Sequence, residues 1–407
     1  MSGAPSVESL SAAITGRSRS MFADDVAARA DALHTAIAGK RLLVVGGAGS
    51  IGSATARLLA SYAPAALHIA DISENYLADL ARDLRNSGLD LSGIDLRFLP
   101  LDFGGPIMRR FIADEPAYDA ALNFAALKHV RSEKDVYSLL QMIDTNVVRQ
   151  ARFKAALNAR GDCPRYFAVS TDKAANPTSL MGASKRLMED VLFDAHRQAG
   201  QVTASARFAN VAFSNGSLPQ AFMRRLALGE PLAAPRDTRR YFISMREAGE
   251  ICLLAALLGE EGLIYFPNMD PATELRALQD VATTVLGAYG FKVEPFESES
   301  EAVAALPALA RDKRWPLILT PLDTSGEKPY EEFVGRGEVE ASTPFAMLRA
   351  VRHAATNALE TGLLDRLASL VEDDQSAVTK AEIVAGVAAA LDSFSHVETG
   401  KSLDQRV

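Results

Sequence analysis

The sequence predicts an α/β fold: a doubly wound parallel sheet with a smaller C-terminal substrate lobe and added helices at both ends. Three observations predict it. Short β-rich runs alternate with helix-length segments between residues 39 and 209. The first run ends in a glycine-rich turn directly ahead of a helix. Beyond Asn210 the alternation loosens around Pro219, Pro231, Pro235 and Pro267. Repeated strand–helix pairs need crossover connections, which demand parallel strands.

Residues 1–38 read as an arm, a polar entry followed by an Ala-rich helical pattern from Met21 to Ile37. Arg41 to Val45 is a β-rich run, Ser53 to Ala63 has helix-forming composition, and Ala66 to Ala70 is a second strand ending at Asp71. Further strands are expected over Arg97–Leu101, Ala120–Phe124, Tyr166–Ser170 and Val202–Phe208, with helices over Val136–Ala159 and Gly182–Gln198. The core domain then spans 39–209 and the substrate lobe 210–340, partly interleaved with it. A helical extension over 341–407 reads as two helices and a frayed end, because its Ala- and Leu-rich pattern carries charges on the opposite face.

With 48% hydrophobic and 23% charged residues in 407, the chain is an ordinary globular protein. A net charge of −8, with lysine and arginine spread along the chain, argues against nucleic acid as the main partner. Only two cysteines occur, Cys163 and Cys252, with no metal-type spacing, so they read as small buried apolar side chains. No apolar run suggests a membrane span, and the N-terminus lacks a secretory h-region; a cytoplasmic protein is expected.

The turn Gly46-Gly47-Ala48-Gly49-Ser50-Ile51-Gly52 stands between strand and helix, the context a Rossmann-type dinucleotide site requires. Gly46 suits the tight turn, Gly49 lets the backbone approach a pyrophosphate, and Gly52 lets helix and strand pack closely. The helix N-terminus, with Ser50 and Ile51, offers oriented N–H groups to phosphates. Asp71 ends the second strand where a carboxylate accepts from the adenosine ribose, and with Ser73 it favours NAD over NADP, since no arginine follows directly. Arg82 and Arg85 keep NADP as the less favoured choice. Asp102 and Phe103, after the third strand, suit the adenine edge; the alternative is an ordinary strand-end cap.

Ser170-Thr171-Asp172-Lys173 follows an apolar strand and should emerge at the sheet's ligand-binding edge. Met181-Gly182-Ala183-Ser184-Lys185 opens the next helix. Here the chain resembles the extended short-chain dehydrogenase/reductases, which place Tyr-x-x-x-Lys there. Lys185 matches and Met181 replaces the tyrosine, so the usual acceptor for a substrate hydroxyl proton is missing. Thr171-Asp172-Lys173, Ala174-Ala175-Asn176-Pro177-Thr178 and Met181 to Arg186 are similar to the nucleotide-activated N-acetylhexosamine 4,6-dehydratases of the polysaccharide-biosynthesis family. Within that family, methionine marks the branch that retains configuration at carbon 5. Asn123 to Val130, Arg207 to Val211, Ser214 to Ser217 and Gly326-Glu327-Lys328 also have counterparts in the family, and the likeness covers about residues 40–335. Met21-Phe22, Arg131 to Asp135 and Arg207 to Ser217 resemble the soluble branch of legionaminic-acid-type pathways, which leaves UDP-GlcNAc and GDP-GlcNAc both open as substrates.

The resemblance implies a mechanism. NAD takes hydride from carbon 4 and returns it to carbon 6, while water leaves across carbons 5 and 6. Lys173, if its pKa is lowered by burial or by Lys185, abstracts the carbon-5 proton; Asp172, if protonated, donates to the leaving hydroxyl. Thr171 holds the carbon-4 hydroxyl and Lys185 orients the nicotinamide ribose. Ala125, Ala126 and Lys128 would face the nicotinamide, and Lys128, His129, Asn210, Asn215, Ser217, Arg240 and Glu327 the nucleotide sugar. Arg240 suits a diphosphate. Glu327 and Lys328 would close the pocket, and Asn146 would support the active-site backbone. A solvated ion pair is the plainer reading of Asp172–Lys173, and surface polarity that of the rest. The rivals in function are an epimerase or dehydrogenase of the same fold and a cofactor-binding regulator without activity. A homo-oligomer paired through the helices at 136–159 and 182–198 is expected, as in relatives.

Overall fold

The computed structural model describes residues 4–129, 133, 135–161, 163–193, 201–321, 328–354, 362–373 and 377–396. Strands β1 (Arg41–Val45), β2 (Ala66–Ala70), β3 (Asp95–Leu99), β4 (Ala120–Asn123), β5 (Arg165–Thr171) and β6 (Val202–Phe208) alternate with helices. The second half adds β7 (Asn210–Val211), β8 (Leu232–Pro235), β9 (Arg239–Ile243), β10 (Leu263–Pro267) and β11 (Leu275–Ala277). It ends with β12 (Lys292–Phe296), β13 (Arg314–Thr320), β14 (Val339–Ala341) and β15 (Leu348–Arg352).

One nine-stranded sheet runs in the order β14-β15-β10-β6-β5-β4-β1-β2-β3. From β10 to β3 all neighbours are parallel, and β15 and β14 extend the edge antiparallel. The chain winds outward from β1 through β2 to β3, then returns to β4 on the other side of β1. This is the doubly wound Rossmann-type architecture. Its crevice opens outside the carboxyl ends of β1 and β4, where such sheets bind ligands. Leu42 to Val45 and all of β2 are buried because helices cover both faces. Two three-stranded sheets, β11-β9-β7 and β12-β13-β8, build the smaller lobe.

Several elements differ from expectation for local reasons. The third strand stops at Leu99, since Pro100 has no N–H for the ladder. The first crossover helix starts at Ser50, so the glycine turn runs straight into it. The long helix at 136–159 is interrupted: α-helix over Val136–Ile143, a π-helical stretch over Asp144–Val148, then α-helix over Arg149–Asn158. The next helix covers Leu180–Phe193, and the expected remainder to Gln198 lies outside the described residues. In the C-terminal extension a strand precedes the two helices. Its Leu348, Ala350 and Val351 are buried where β15 pairs with β10, a pattern that its Ala-rich neighbourhood hides from helical reading.

The N-terminal arm packs on its own chain. Leu10 and Ile14 join Phe222, Val281 and Val285 in the lobe, while Leu33 and Ile37 join the main core. Arg17 forks onto Glu247 at 2.8 and 3.0 Å and reaches Glu274 at 3.2 Å. The C-terminal helices Leu363–Glu372 and Lys380–Ala390 bury Leu363, Leu367, Ile383 and Val387 against Leu139, Ile143, Val147, Leu180 and Leu187. The apolar face of the two long helices, expected as a pairing surface, is thus packed against the C-terminal helices of the same chain. Cys163 and Cys252 are both buried, as expected of small apolar side chains. Among the described residues no helix is long and apolar enough to cross a membrane.

Candidate active site

The glycine turn divides by physical cause. Gly46 has φ +64°, and a Cβ there would lie 2.4 Å from the Ala125 nitrogen; at Gly52 a Cβ would lie 2.5 Å from the Gly46 carbonyl oxygen. Protein packing therefore explains both. Gly49 is different. Its φ of −64° suits any residue, and a Cβ there would meet nothing nearer than Gly46 oxygen at 3.4 Å. The space it leaves open lies at the N-terminus of the helix Ser50–Ala60, where backbone N–H groups are unpaired by the helix itself. A cradle that a side chain would fill, at a helix N-terminus, fits a pyrophosphate.

Asp71 accepts from Ala48 N–H at 3.1 Å and Ser73 N–H at 2.9 Å, which binds the glycine turn to the end of β2 and leaves lone pairs on both oxygens. Ser73 itself caps the helix Glu74–Arg85 through Tyr76 N–H. Asp102 accepts from Gly104 N–H at 3.0 Å and pairs with Arg149 at 2.5 Å. The Phe103 ring is buried edge-on against Phe153, at 5.8 Å and 79°. The polar residue Asp102 makes the strand-end turn while the aromatic one fills the core.

Beyond β4, Ala125 and Ala126 are half-buried, and Ala125 N–H donates to Asn123 Oδ1 at 2.9 Å. Asn146, in the π-helical stretch, clasps Leu127 on both sides: it accepts from Leu127 N–H at 2.9 Å and donates to Leu127 O at 2.8 Å. It also donates to Ser184 Oγ at 3.0 Å, joining this segment to the helix that carries Met181 and Lys185. Lys128 is exposed, and desolvation by the protein around it lowers its pKa. His129 lies against Gly216, where a Cβ would meet the imidazole Cε1 at 2.4 Å. Asn215 N–H donates to Ser50 Oγ at 2.9 Å, so the fold brings the glycine turn, His129 and the Asn215–Ser217 turn together. Ser217 caps the helix Leu218–Leu228 through Gln220 N–H.

The chemical centre lies at the end of β5. Thr171 opens a 3₁₀ turn over Asp172–Ala174, and its hydroxyl donates to Asp172 Oδ1 at 2.9 Å. Lys173 Nζ donates to the same oxygen at 3.0 Å. Asp172 is only 2% exposed, and among the described residues its Oδ2 has no hydrogen-bond partner. Gly182 admits the next helix close to this turn, since a Cβ would lie 2.5 Å from Lys173 O. Met181 is buried, and its N–H donates to the buried Glu133 at 2.9 Å; burial raises the pKa of that carboxyl.

The two lysines reverse the expected electrostatics. Burial alone would lower Lys173, but the carboxylates of Asp172 and, at 3.9 Å, Glu331 outweigh it and raise its pKa. Lys185 is the depressed one, pushed by burial down to about 8 against the pull of Glu189. Its Nζ donates to Val169 O at 2.9 Å and lies 3.4 Å from Met188 Sδ, while the charges acting on Lys173 are those of Asp172, Glu331 and Arg240. A lysine held between two carboxylates stays an ammonium.

From the lobe, Arg240 donates to Lys328 O at 3.0 Å and Pro329 O at 3.2 Å, with Glu331 at 3.8 Å. Lys328 donates to Asn176 O. Asn210 donates to Tyr241 O at 3.4 Å. Glu327 lies outside the described residues. Sequence reasoning missed Glu331, and no spacing could have revealed it, since only folding sets it beside Lys173. It also treated Arg207 as part of a site motif. Arg207 is instead fully buried, bonded to Glu189 at 2.7 and 2.9 Å, to Glu338 and to Phe333 O at 2.8 Å, so it anchors the strap 328–338.

The chain is 30% identical over 264 residues to a Methanocaldococcus jannaschii protein described as "Uncharacterized membrane protein MJ1061", covering 63% of this chain and 75% of that one. It is 25% identical to the capsular polysaccharide biosynthesis protein CapD of Staphylococcus aureus over 74% of this chain, spanning 46% of CapD, about half its length. The UDP-N-acetylglucosamine 4,6-dehydratase (inverting) of Campylobacter jejuni is 28% identical over 57% of this chain and 67% of that enzyme. Among solved structures, Pen from Bacillus thuringiensis superposes with TM-score 0.63 at 19% identity, covering 79% of this chain and 88% of Pen. DesIV, a dTDP-glucose 4,6-dehydratase from Streptomyces venezuelae solved with NAD and TYD bound, gives 0.55 at 22% identity over 73% and 88%. These two share the fold. A match from residue 42 to residue 352, running from the first strand through the smaller lobe to β15, makes this chain a member of the polysaccharide biosynthesis protein family.

Proposed function

We propose that the chain is an NAD-dependent 4,6-dehydratase of a nucleotide-activated N-acetylhexosamine, making a 4-keto-6-deoxy sugar for surface polysaccharide. The observation that carries this reading is the turn at the end of β5, where a carboxylate and an amine share a 3.0 Å contact beside a buried thioether rather than a phenol. With no phenol of Tyr-x-x-x-Lys present, the acceptor for the carbon-4 hydroxyl proton has to come from the Thr171–Asp172–Lys173 turn, and the acid–base pair there is also what elimination of water needs, which favours a dehydratase over an epimerase or simple dehydrogenase. The Gly49 cradle and the open lone pairs of Asp71 fit NAD, and DesIV, of the same fold, holds NAD. The dehydratase among the relatives supports the same class.

NAD, when bound, supplies a hydride acceptor toward carbon 4 and a donor toward carbon 6, so it is regenerated in each turnover. The protein's own part is proton transfer. Oxidation at carbon 4 sheds the hydroxyl proton and elimination removes the carbon-5 proton; one proton leaves with the carbon-6 hydroxyl as water and one returns to carbon 5, so the turn must both accept and donate. Asp172 and Lys173 hold a single transferable proton between them, and in the resting site it stays on Lys173. For Lys173 to act as base, that proton must first cross the contact to Asp172, which then donates to the leaving hydroxyl. A sugar that expels water favours this neutral pair, because a dry site penalises two charges. Thr171 holds the carbon-4 hydroxyl at the mouth of the turn, and Arg240 faces the diphosphate.

The test is incubation with UDP-GlcNAc and with GDP-GlcNAc in deuterated water. One of them should yield a 4-keto-6-deoxy sugar carrying deuterium at carbon 5, and Asp172→Asn should slow turnover by about 10²–10⁴-fold, the usual worth of a positioned acid–base group. Absence of a keto product from both substrates overturns the reading.

A further inference from the structure

Glu331 is 4% exposed and sits in the strap that crosses the site from the lobe. Three cations from separate parts of the chain converge on it: Lys173 Nζ at 3.9 Å and Arg240 Nη2 at 3.8 Å from Oε1, and Lys328 Nζ at 3.7 Å from Oε2. None is within hydrogen-bonding distance, and among the described residues Oε2 has no hydrogen-bond partner. A buried carboxylate oxygen without a donor is costly, so its persistence calls for a reason.

Anchoring the strap is not that reason, because other residues do it. Asn176 donates to Glu332 at 2.9 Å, accepts from Arg336 N–H at 2.9 Å and receives Lys328 on its carbonyl, while Glu338 holds Arg207 and Arg186. The place of Glu331 is more telling. It lies near both Lys173, at the proposed reacting end of the site, and Arg240, which is proposed above to face the diphosphate. In a nucleotide sugar the hexose lies between those two ends.

We infer that Glu331 is a hexose-binding residue whose free Oε2 accepts a hydrogen bond from a sugar hydroxyl or the acetamido N–H. This rests on the dehydratase reading and names one of its substrate contacts. The three cations balance Asp172 and Glu331 with one positive charge to spare, so a carboxylate can remain beside a diphosphate without repelling it from the site. A charge-assisted acceptor of this kind confers specificity for the sugar rather than affinity for the nucleotide.

The experiment is calorimetric titration of the full chain with UDP and UDP-GlcNAc, and with GDP and GDP-GlcNAc, for the wild type, Glu331→Gln and Glu331→Asp. Glutamine keeps the shape and removes the charge; aspartate keeps the charge and withdraws the oxygen, so each checks the other if one fails to fold. Both substitutions should weaken the preferred sugar nucleotide about tenfold while the matching free nucleotide changes less than twofold. Glu332→Gln, which loosens the strap at Asn176, should shift both ligands together. Equal losses for sugar nucleotide and nucleotide in the Glu331 variants, or no loss for either, overturn the inference alone. If the wild type binds each nucleotide no more weakly than its sugar derivative and forms no keto sugar, the dehydratase reading falls and this inference falls with it.

Discussion

Single residues in this protein differ in what their identity answers to, and Gly46 and Gly49 show it most directly. Gly46 answers to the fold: an alanine at φ +64° costs about 1–2 kcal/mol in backbone conformation alone, and its Cβ would press on the Ala125 nitrogen at 2.4 Å. Gly49 has no such reason in the fold, since a Cβ there would meet nothing nearer than the Gly46 oxygen at 3.4 Å, and the proposed reason is a bound pyrophosphate. Gly46→Ala should therefore lower the thermal midpoint by several degrees. Gly49→Ala should leave it within about a degree while NAD affinity drops tenfold or more, since a methyl group occupies the pyrophosphate's place. Thermal unfolding and a dinucleotide titration read the two effects separately. Full NAD binding by Gly49→Ala would remove the cradle from the argument.

At the scale of elements, the sequence made the six strands of the first half and the glycine turn legible because each is a local pattern: an apolar run, a turn, a helix-forming stretch. Thr171, Asp172 and Lys173 could be placed at the sheet's edge for the same reason. What could not be read depends on distant pairing. The π-helical stretch that aims Asn146 at Leu127 looks like continuous helix in the chain, and β15 exists only because β10 lies open beside it. The expectation of a depressed Lys173 failed because its neighbour Asp172, and then Glu331 from a strap far along the sequence, raise its pKa against burial. That strap has its own electrostatic fastening. Burial alone would raise Glu338, but Arg207, the Gly335 N–H and Arg186 bring its carboxyl down to about 2. A carboxyl depressed in the folded state contributes stability that is full above its unfolded value and lost as pH falls through the folded one. The contribution, on the order of 3 kcal/mol, should disappear between about pH 4.5 and pH 2. Urea midpoints of wild type and Glu338→Gln should differ most near neutrality and converge across that interval. A gap that stays constant with pH would mean that Glu338 acts by shape and not by charge.

For the whole molecule, the consequential feature is where the C-terminal helices lie. Leu139, Ile143 and Val147 on one long helical segment, with Leu180, Ala183 and Leu187 on the next, form a continuous apolar face. Such a face must be covered, and a second copy of the same pair of helices is one cover that gives a four-helix packing. Here Leu363, Leu367, Ile383, Val387 and Leu391 cover it from within the chain. The same extension reaches the chemistry: Ser395 N–H donates to Pro177 O at 3.0 Å and His396 Nδ1 lies 2.9 Å from Thr178 O, on the loop that follows Lys173. Ending the chain after residue 354 should thus have two linked results. The uncovered face should drive self-association, seen as a higher mass in light scattering coupled to size exclusion than the full chain shows at equal concentration. The loop from Ala174 to Ser179, released from its cover, should also become more open to hydrogen exchange than in the full chain. A truncated protein with the full chain's assembly state and the same exchange in that loop would show that the helices are passengers on this face rather than its cover.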